Sequence, residues 1–480
     1  MLDKLSNKEI NFTLLFVIIS ALYVNFYKPL QMDELSTFFH CSEKSLGELI
    51  NANDSGVNML PSFYFYINWI FGYLSDLNIF TLRMIPLIFG ILSIYIFKDI
   101  LLHFVDSKTA SFTIITAISH CPIYLFSICE ARPYSLYLFL TLLLIKYTLK
   151  QNTDVLSIRL IILNFLIPST FYFGGIYCVF LCIFNVIHKI IDKKFLLKYT
   201  ISCILGWILF FILCFQTFIS QINNTYTLHF SGNKSILTVS LFSYYGMHIY
   251  FNISLFILLF FFMHKRKVFL FKNNLILFIP FILIPFLVFI FSKSFSYSLF
   301  QERYFIPSII VVFLIYAIIS SIIGISKLKQ KLVYFHYLFC FTVFSVLTYS
   351  HASSYKYENP EISLSAISEY SCPIITQSRR ISFHCNQKGF RNVYQLVSDQ
   401  TYAKYMTEFS TMLNPIPLSE MYNLINRLLL ENEKVLYIST PWVNEDINKI
   451  KQRFLKNKIN FNEIQCEKSP QVDSIYILSK

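Results

Sequence analysis

The chain has 480 residues, of which 55% are hydrophobic and only 14% are charged. Soluble domains carry about 25% charged residues, so this composition excludes an ordinary soluble protein and predicts one whose apolar side chains are solvated largely by lipid. The formal net charge is +13, but the basic residues stand in short clusters between apolar runs. That distribution argues against a nucleic-acid partner and favours a role in membrane topology, with the lipid bilayer as the partner.

The apolar runs predict about eleven transmembrane helices. The first run, 10–26, has no small-residue cleavage site after it, so we expect a retained helix and not a cleaved signal peptide. The run 60–74 is short and interrupted by polar residues, which is typical of a helix lying in the membrane interface. The further spans are expected at 80–102, 110–128, 134–149, 156–171, 174–190, 199–219, 244–263, 273–292, 304–324 and 332–349.

The basic residues of the predicted loops fall on two alternating sides of the membrane, roughly sixteen on one side against seven on the other. The positive-inside rule assigns the richer side to the cytoplasm. We therefore expect a multi-pass protein of the plasma (inner) membrane whose N-terminus is cytoplasmic. An odd number of spans then places the C-terminal part outside the cytoplasm.

The C-terminal part differs sharply in composition, because charged residues become frequent there and the apolar spans stop. Apolar periodicity predicts both helices and short strands in this part. The predicted helices are 419–430 and 444–457, and the predicted strands are 435–438 and 475–478. We therefore expect an all-α transmembrane domain over 1–350 and a small extracytoplasmic α/β domain over 351–480.

Neither the cysteines nor the other ligand-type residues indicate a cofactor. The eleven cysteines include no C-x-x-C pair, so a zinc or redox site is not indicated. No His-rich or multi-carboxylate cluster requires a metal, and we expect neither a metal nor a cofactor. Cys372 and Cys385 have two open alternatives: a disulfide in an oxidising compartment, or two free thiols.

Three groups of polar residues lie at the edges of apolar runs, all on the predicted outer side. Charges near hydrocarbon are costly, at about 2.5–3.5 kcal/mol near the bilayer centre, although long side chains reduce this cost near the interface by snorkelling. Simple helix anchors and a solvated acidic loop therefore stay open as alternatives. The groups are Asp33-Glu34, Glu130-Ala131-Arg132-Pro133-Tyr134 and Gln301-Glu302-Arg303-Tyr304, with Arg83 at the outer start of a further span.

These residue types suit one kind of chemistry if the acids and arginines face each other across an outward cavity. Arginine binds phosphate oxygens through planar, bidentate contacts. A carboxylate within hydrogen-bond reach of a hydroxyl can remove its proton. The set therefore favours a reaction in which a hydroxyl attacks a carbon whose leaving group is a phosphate, and a lipid-linked phosphate explains a site at the membrane surface.

The order of the motifs resembles that of the GT-C glycosyltransferases, and more closely the glycosyltransferase 39 group of protein O-mannosyltransferases and aminoarabinose transferases. The similarity covers about residues 10–325. Some relatives have a Lys before the Pro-aromatic segment where this sequence has Asn58, Met59 and Leu60, so phosphate recognition differs or falls to another residue such as Lys44. The matching motifs are Asp33-Glu34, Leu60–Tyr64, Arg83–Pro86, Glu130–Tyr134, Phe173–Gly175 and Arg303–Pro307.

The resemblance implies a GT-C-like fold and a polyprenyl-phosphate-linked sugar as donor, with a lipid, a glycan or a protein as acceptor. It implies that Asp33 is the general base of an inverting transfer and that Glu34 tunes or orients it. The remaining site residues then bind substrate. Arg132 and Arg303 hold the phosphate, Tyr134 and Tyr304 donate hydrogen bonds, and Glu130 and Arg83 complete the set.

Three other classes of protein stay open as alternatives. A transporter or flippase is expected to carry charged or broken segments in mid-span and a repeat, whereas this chain has its charges at the outer ends and shows no repeat. A polymerase or ligase of lipid-linked glycans usually has its large outer loop late in the chain. A membrane scaffold leaves the acidic pair and the Glu130–Tyr134 segment unexplained.

Overall fold

A computed structural model gives the fold of most of the chain. The structure describes residues 2–28, 31–54, 60–75, 77–150, 158–188, 193–223, 278–281, 283–285, 287–288, 302–323, 330–357, 367, 370–376, 378, 381–382, 385–386, 390, 392–397, 415–439, 447–456, 458–464 and 474–479. The predicted span 244–263 lies outside these residues, and the predicted span 273–292 lies mostly outside them.

The described strands all lie after Tyr357, and before it the described regular elements are helices. A short 3-10 turn, Glu302–Phe305, directly precedes the helix that begins at Ile306. The helices are α1 Leu2–Tyr27, α2 Met32–Ser42, α3 Leu46–Asp54, α4 Phe63–Leu74, α5 Ile79–Leu101, α6 Ser107–Ser119, α7 Pro122–Ile128, α8 Tyr134–Lys150, α9 Ile158–Thr170, α10 Tyr172–His188, α11 Lys193–Asn223, α12 Ile306–Ile323 and α13 Gln330–Tyr357.

Polar side chains fix where two of these helices begin. Asn78 precedes α5, and its side-chain oxygen accepts a hydrogen bond of 2.8 Å from the backbone N–H of Thr81. Asp106 precedes α6, and its carboxylate accepts from the N–H groups of Lys108 and Thr109 at 3.1 and 3.0 Å. Each cap satisfies N–H groups that the first turn of a helix leaves without an intrahelical partner.

Five helical segments of the described chain are long and apolar enough to cross a membrane. Other helices at predicted span positions are shorter, since α8, α9 and α10 have 17, 13 and 17 residues against the roughly 20 of a straight span. The expected total of about eleven spans stays a prediction. The five segments are Glu9–Tyr27, Ile79–Leu101, Leu197–Gln221, Arg303–Ile322 and Lys331–Ser353.

The single span predicted at 110–128 is instead a pair of helices, α6 and α7, bent by 76° at the break between them. Pro122 is the first residue of α7. Proline has no N–H to continue the ladder of the preceding helix, but it fits the first position of a new one. Composition alone did not reveal this break, because the stretch 110–128 is apolar enough overall to be one span.

The chain divides into two compact units. The first contains Met1–Val24, Leu60–Ile219 and Thr227–Ser350, and the second contains Asn25–Met59, Ser220–Tyr226 and His351–Lys480. In the first unit α5 packs against α8, α8 against α9, α9 against α10, and α12 against α6. The predicted domains 1–350 and 351–480 stay a prediction.

A close approach between α9 and α10 depends on Gly174. A Cβ atom at Gly174 would lie 2.4 Å from Cγ2 of Ile167 and 3.1 Å from its backbone oxygen. At the neighbouring Gly175 the nearest atom would be Cβ of Pro168, at 3.3 Å. A side chain at Gly174 therefore forces the two helices apart, whereas one at Gly175 needs only a small adjustment.

The described C-terminal part contains a six-stranded sheet with the strand order β3-β2-β1-β4-β6-β5. The first four strands in this order are parallel, and β6 and β5 complete the sheet in antiparallel pairs. The strands are β1 Ile374–Thr376, β2 Val393–Val397, β3 Pro415–Pro417, β4 Val435–Ser439, β5 Asn460–Ile464 and β6 Ser474–Ser479, and the helices are α14 Met421–Glu431 and α15 Ile447–Lys456.

Apolar side chains cover both faces of this sheet. On one face Ile375, Leu396 and Tyr437 pack with residues of α14 and α15. On the other face Ile374 and Val393 belong to a second apolar cluster. Helices packed on a largely parallel sheet are an α/β arrangement, which agrees with the predicted class of this part.

The predicted elements of this part are confirmed, and four strands were missed. Both helices and the strands β4 and β6 lie where periodicity placed them, each within a few residues. The missed strands β1 and β3 have three residues each, too few for a period of two to be visible. β3 also contains Pro415 and Pro417, which is tolerated because β3 is an edge strand. Cys372 and Cys385 are free thiols.

The contact between α9 and α10 gives a matched pair of variants. Gly174→Ala is expected to lower the free energy of unfolding by about 1–3 kcal/mol, because the added methyl group overpacks a tight helix contact. Gly175→Ala is the control and should change stability much less. Thermal unfolding of the detergent-solubilised protein measures both, and equal effects of the two substitutions would contradict the proposed close approach.

Candidate active site

Two residues that are far apart in the sequence meet in the first unit. Tyr134 is the first residue of α8, and Arg303 lies in the 3-10 turn before α12. The guanidinium carbon of Arg303 is 5.6 Å from the centroid of the Tyr134 ring and 6.0 Å from that of the Tyr304 ring. We call Arg132, Tyr134, Arg303 and Tyr304 the arginine–tyrosine cluster. Two of the three predicted polar groups therefore contribute side chains to this one cluster.

The hydroxyl of Tyr134 is the polar centre of this cluster. Its side chain is fully buried, and the hydroxyl has no hydrogen-bond partner within the described part of the chain. The charged groups of Arg303, Arg132 and Glu130 lie close enough to act on it electrostatically. A buried donor on which the charges of two guanidinium groups act is an arrangement that suits an oxyanion.

The segment between α7 and α8 is a compact, buried turn. The N–H of Arg132 donates to the backbone oxygen of Glu130 at 2.6 Å, and the N–H of Tyr137 donates to that of Pro133 at 2.8 Å. The side chains of Glu130 and Arg132 are 2% and 7% exposed. This burial disfavours the alternative of snorkelling anchors, because both charges lie inside the protein.

Aromatic rings line the cluster. The rings of Phe173 and Tyr304 stack with centroids 5.6 Å apart, and the ring of Phe171 lies 5.1 Å from Tyr304 and 5.8 Å from Tyr134. Phe173 belongs to a motif that the sequence singled out. Phe171 was missed, because a Phe at the end of an apolar helix gives no indication of which residue it will contact.

Arg83 is buried within α5, 1% exposed, three residues before Pro86. A charged side chain so deeply buried must have compensating partners. Its assignment to the same site as Arg303 stays a prediction.

The acidic pair lies in the second unit, in the first turn of α2. Glu34 is held by two structural contacts: one carboxylate oxygen lies 3.8 Å from Nζ of Lys28, and the other accepts from the N–H of Gln31 at 3.0 Å. The side chains of Lys28 and Glu34 are completely buried. Glu34 therefore fixes the start of α2, and with it the position of the adjacent, half-buried Asp33.

Lys28 is a residue that the sequence analysis missed as part of the site. It was counted only as one of the basic residues of the predicted outer loops. Neither apolar periodicity nor residue spacing distinguishes a lysine in a buried ion pair from one in a solvated loop. The only sequence indication is its position six residues before an acid in a polar stretch.

Two further residues of this segment are notable. Burial, with the nearby Glu48 carboxylate, raises the pKa of Glu43 to about 7, a range that suits a general base. Asn53 on α3 is 2% exposed, and both polar atoms of its amide lack a hydrogen-bond partner among the described residues. Neither residue stands out in the sequence.

The acidic pair and the arginine–tyrosine cluster belong to different units of the chain. Their expected meeting across one outward cavity therefore stays a prediction. Among the residues that the structure describes, no group of three or more His, Cys, Asp or Glu side chains is placed to hold a metal ion. The side chain of Glu302 lies outside the described part.

The fold itself is similar to that of solved structures. The crystal structure of ArnT from Cupriavidus metallidurans in the apo state matches with a TM-score of 0.60 at 11% identity, covering 97% of this chain and 98% of ArnT. The same enzyme bound to undecaprenyl phosphate matches with a TM-score of 0.59, identical coverage and 11% identity. The protein has the GT-C fold.

The other comparisons add less. The oligosaccharyltransferase of Archaeoglobus fulgidus, tethered with an acceptor peptide, matches with a TM-score of 0.41 and 14% identity over 88% of this chain and 69% of its own. No protein-family model and no curated protein sequence matches the chain.

The buried ion pair at the start of α2 gives a direct test of the site's support. Lys28→Met leaves the Glu34 carboxylate buried without its cation, and we expect a loss of about 3–5 kcal/mol in the free energy of unfolding. The double variant Lys28→Met/Glu34→Leu removes both charges and should recover most of that loss. Thermal unfolding of the three proteins checks this, and a single variant as stable as the wild type would show that the pair contributes nothing.

Proposed function

We propose that the protein is a membrane glycosyltransferase that moves a sugar from a polyprenyl-phosphate-linked donor to an acceptor hydroxyl on the extracytoplasmic side. One observation carries the proposal: the buried Tyr134 hydroxyl has no described partner, its ring lies 5.6 Å from the guanidinium carbon of Arg303, and the charges of Arg303 and Arg132 act on it electrostatically. The GT-C fold supports it, since ArnT, which has this fold, was solved bound to undecaprenyl phosphate.

The arginine–tyrosine cluster is assigned to the phosphate of the donor. Arg303 and Arg132 offer planar donors that match two phosphate oxygens, and the Tyr134 hydroxyl offers a third, neutral donor. Negative charge grows on the phosphate as the bond to the sugar breaks, so donors held in place without water stabilise the transition state more than the ground state. Tyr304 supplies a second hydroxyl for the phosphate. Arg83 is a weaker candidate for binding the phosphate.

Asp33 is assigned as the general base. As the acceptor oxygen forms its bond to the anomeric carbon, the proton of the acceptor hydroxyl passes to the Asp33 carboxylate. The bond between that carbon and the phosphate oxygen breaks, and the leaving polyprenyl phosphate keeps the electron pair. Glu34 orients Asp33 through its own contacts with Lys28 and Gln31. Attack from the side opposite the leaving group inverts the anomeric configuration.

The acceptor class stays open among lipids, glycans and proteins. The aromatic wall of Phe171, Phe173 and Tyr304 suits a sugar ring, because the apolar face of a sugar packs on aromatic rings. A transporter or flippase, or a polymerase or ligase of lipid-linked glycans, is the alternative. A transporter forms no glycosidic bond and therefore requires no carboxylate base.

Asp33→Asn is expected to lower the transfer rate by about 10²–10⁴-fold, the usual contribution of a positioned general base. Membranes with the wild-type or variant chain receive a panel of radiolabelled polyprenyl-phosphate sugars, and label that leaves the lipid fraction is counted. Glu43→Gln is the matched control, since its carboxyl lies in the same segment with a pKa of about 7. Full transfer by Asp33→Asn together with loss of transfer by Glu43→Gln would assign the general base to Glu43 instead. Label that only changes sides of the membrane would favour a transporter.

Tyr134→Phe separates binding of the phosphate from support of the fold. The hydroxyl has no described partner, so its removal should leave the unfolding temperature unchanged or slightly higher. A hydrogen bond to a charged group contributes about 1.5–3 kcal/mol, so the KM for the donor should rise about 10- to 100-fold. Ser320→Ala on α12 also removes a buried hydroxyl without a described partner and serves as control. An unchanged donor KM in Tyr134→Phe contradicts the phosphate assignment.

A further inference from the structure

Side chains of α10 contact the turn that carries Arg303, and then α12 itself, at two successive levels. The ring of Phe173 stacks on that of Tyr304 with centroids 5.6 Å apart. Four residues further along each segment, the hydroxyl groups of Tyr177 and Ser308 share a hydrogen bond of 2.5 Å. Residues four apart lie on one face of a helix. The stack and the hydrogen bond are therefore consecutive levels of one contact between α10 and the start of α12.

The lower level is a buried pair of hydroxyl groups that joins two helices. Tyr177 and Ser308 are 0% and 3% exposed. Other buried hydroxyl groups in these helices donate to the backbone oxygen four residues earlier in their own helix, as Ser93 does to Phe89 at 2.7 Å. Such a bond satisfies the hydroxyl without involving a neighbouring helix. The bond between Tyr177 and Ser308 instead depends on how α12 lies relative to α10.

The ring of Tyr177 is held in place by its neighbours. It stacks on the ring of Phe281 with centroids 4.9 Å apart and lies 6.4 Å from the ring of Tyr137. The start of α10 also lies tightly against α8, because a Cβ atom at Gly174 would lie 2.9 Å from Cε2 of Tyr137. The packing of Tyr177 therefore fixes where its hydroxyl meets Ser308.

Two chains of contacts lead from α8 to the start of α12. In the first, the guanidinium carbon of Arg303 lies 5.6 Å from the ring centroid of Tyr134, the first residue of α8. In the second, Tyr137 of α8 lies against the ring of Tyr177, which bonds to Ser308. Ser308 follows Arg303 by five residues and lies in the first turn of α12. The bond at Ser308 therefore restrains the position of Arg303 relative to Tyr134.

We propose that Tyr177 is a positioning residue, which holds Arg303 against Tyr134 through its hydrogen bond to Ser308. The restraint on Arg303 stands on these contacts alone, whereas its use in binding the donor phosphate rests on the proposed function. A guanidinium group that is already held in place loses less conformational freedom when a phosphate binds. Tyr177 then increases the affinity for the donor without touching it.

The first test measures the restraint on Arg303 without any substrate. Phenylglyoxal modifies guanidinium groups, and mass spectrometry gives the rate at the partly exposed Arg303 relative to that at the exposed Arg159. Tyr177→Phe keeps the ring and removes only the hydroxyl, and we expect it to raise the relative rate about threefold or more, because local opening exposes the guanidinium group. Ser308→Ala should act in the same way. Ser93→Ala, which removes a buried hydroxyl bonded within its own helix, is the matched control and should leave the rate unchanged.

The second test measures whether the restraint contributes to donor binding. Binding of undecaprenyl phosphate is compared among the wild type, Tyr177→Phe, Arg303→Ala and the double variant, all in lipid nanodiscs. Tyr177→Phe should weaken binding about 5- to 10-fold in the wild-type background and not at all in the Arg303→Ala background, because Tyr177 acts through Arg303. A hydroxyl that merely stabilised the fold would weaken binding equally in both backgrounds.

Two results overturn the proposal. One is a rate of Arg303 modification in Tyr177→Phe equal to that in the wild type. The other is an equal loss of undecaprenyl phosphate binding through Tyr177→Phe with and without Arg303. A different result separates the proposal from the proposed function. If the wild type binds no undecaprenyl phosphate while Tyr177→Phe still raises the modification of Arg303, the positioning role is upheld and the phosphate assignment is wrong.

Discussion

A charged side chain among apolar helices is stable only with partners, and this constraint arranges the polar residues of the protein. Arg303 lies over two aromatic rings, and Glu34 is held by Lys28 and by a backbone N–H. Glu34 stands where a helix begins, because backbone N–H groups are available there to a carboxylate. Arg303 stands in the turn before α12, where the faces of aromatic rings and not N–H groups are its partners.

The helices were largely predictable, because an apolar run of sufficient length has few other structures available in lipid. The break between α6 and α7 was not, since Pro122 is compatible both with a kink inside one span and with a new helix. In the C-terminal part α14 and α15 were predicted from periodicity, and the three-residue strands were not. A strand of that length is defined by its neighbours in the sheet, which a single sequence does not give.

The candidate site was predicted in its residue types but not in its contacts. The sequence placed Glu130–Tyr134 and Arg303-Tyr304 on the same side of the membrane, and the structure adds that Arg303 lies against Tyr134. Phe171 and Lys28 were beyond prediction. Phe171 contacts Tyr134 and Tyr304, which are far from it in the sequence. Lys28 is only six residues from its partner Glu34, but spacing does not distinguish a buried ion pair from two solvated charges.

The edge strand β3 bears on whether two copies of the protein can pair through their sheets. An exposed sheet edge invites a strand of a neighbouring molecule, and the usual defences are short strands and prolines. β3 has three residues, two of which, Pro415 and Pro417, have no N–H to offer. A neighbouring strand therefore finds few hydrogen-bond donors along this edge, and sheet-to-sheet pairing through it is disfavoured.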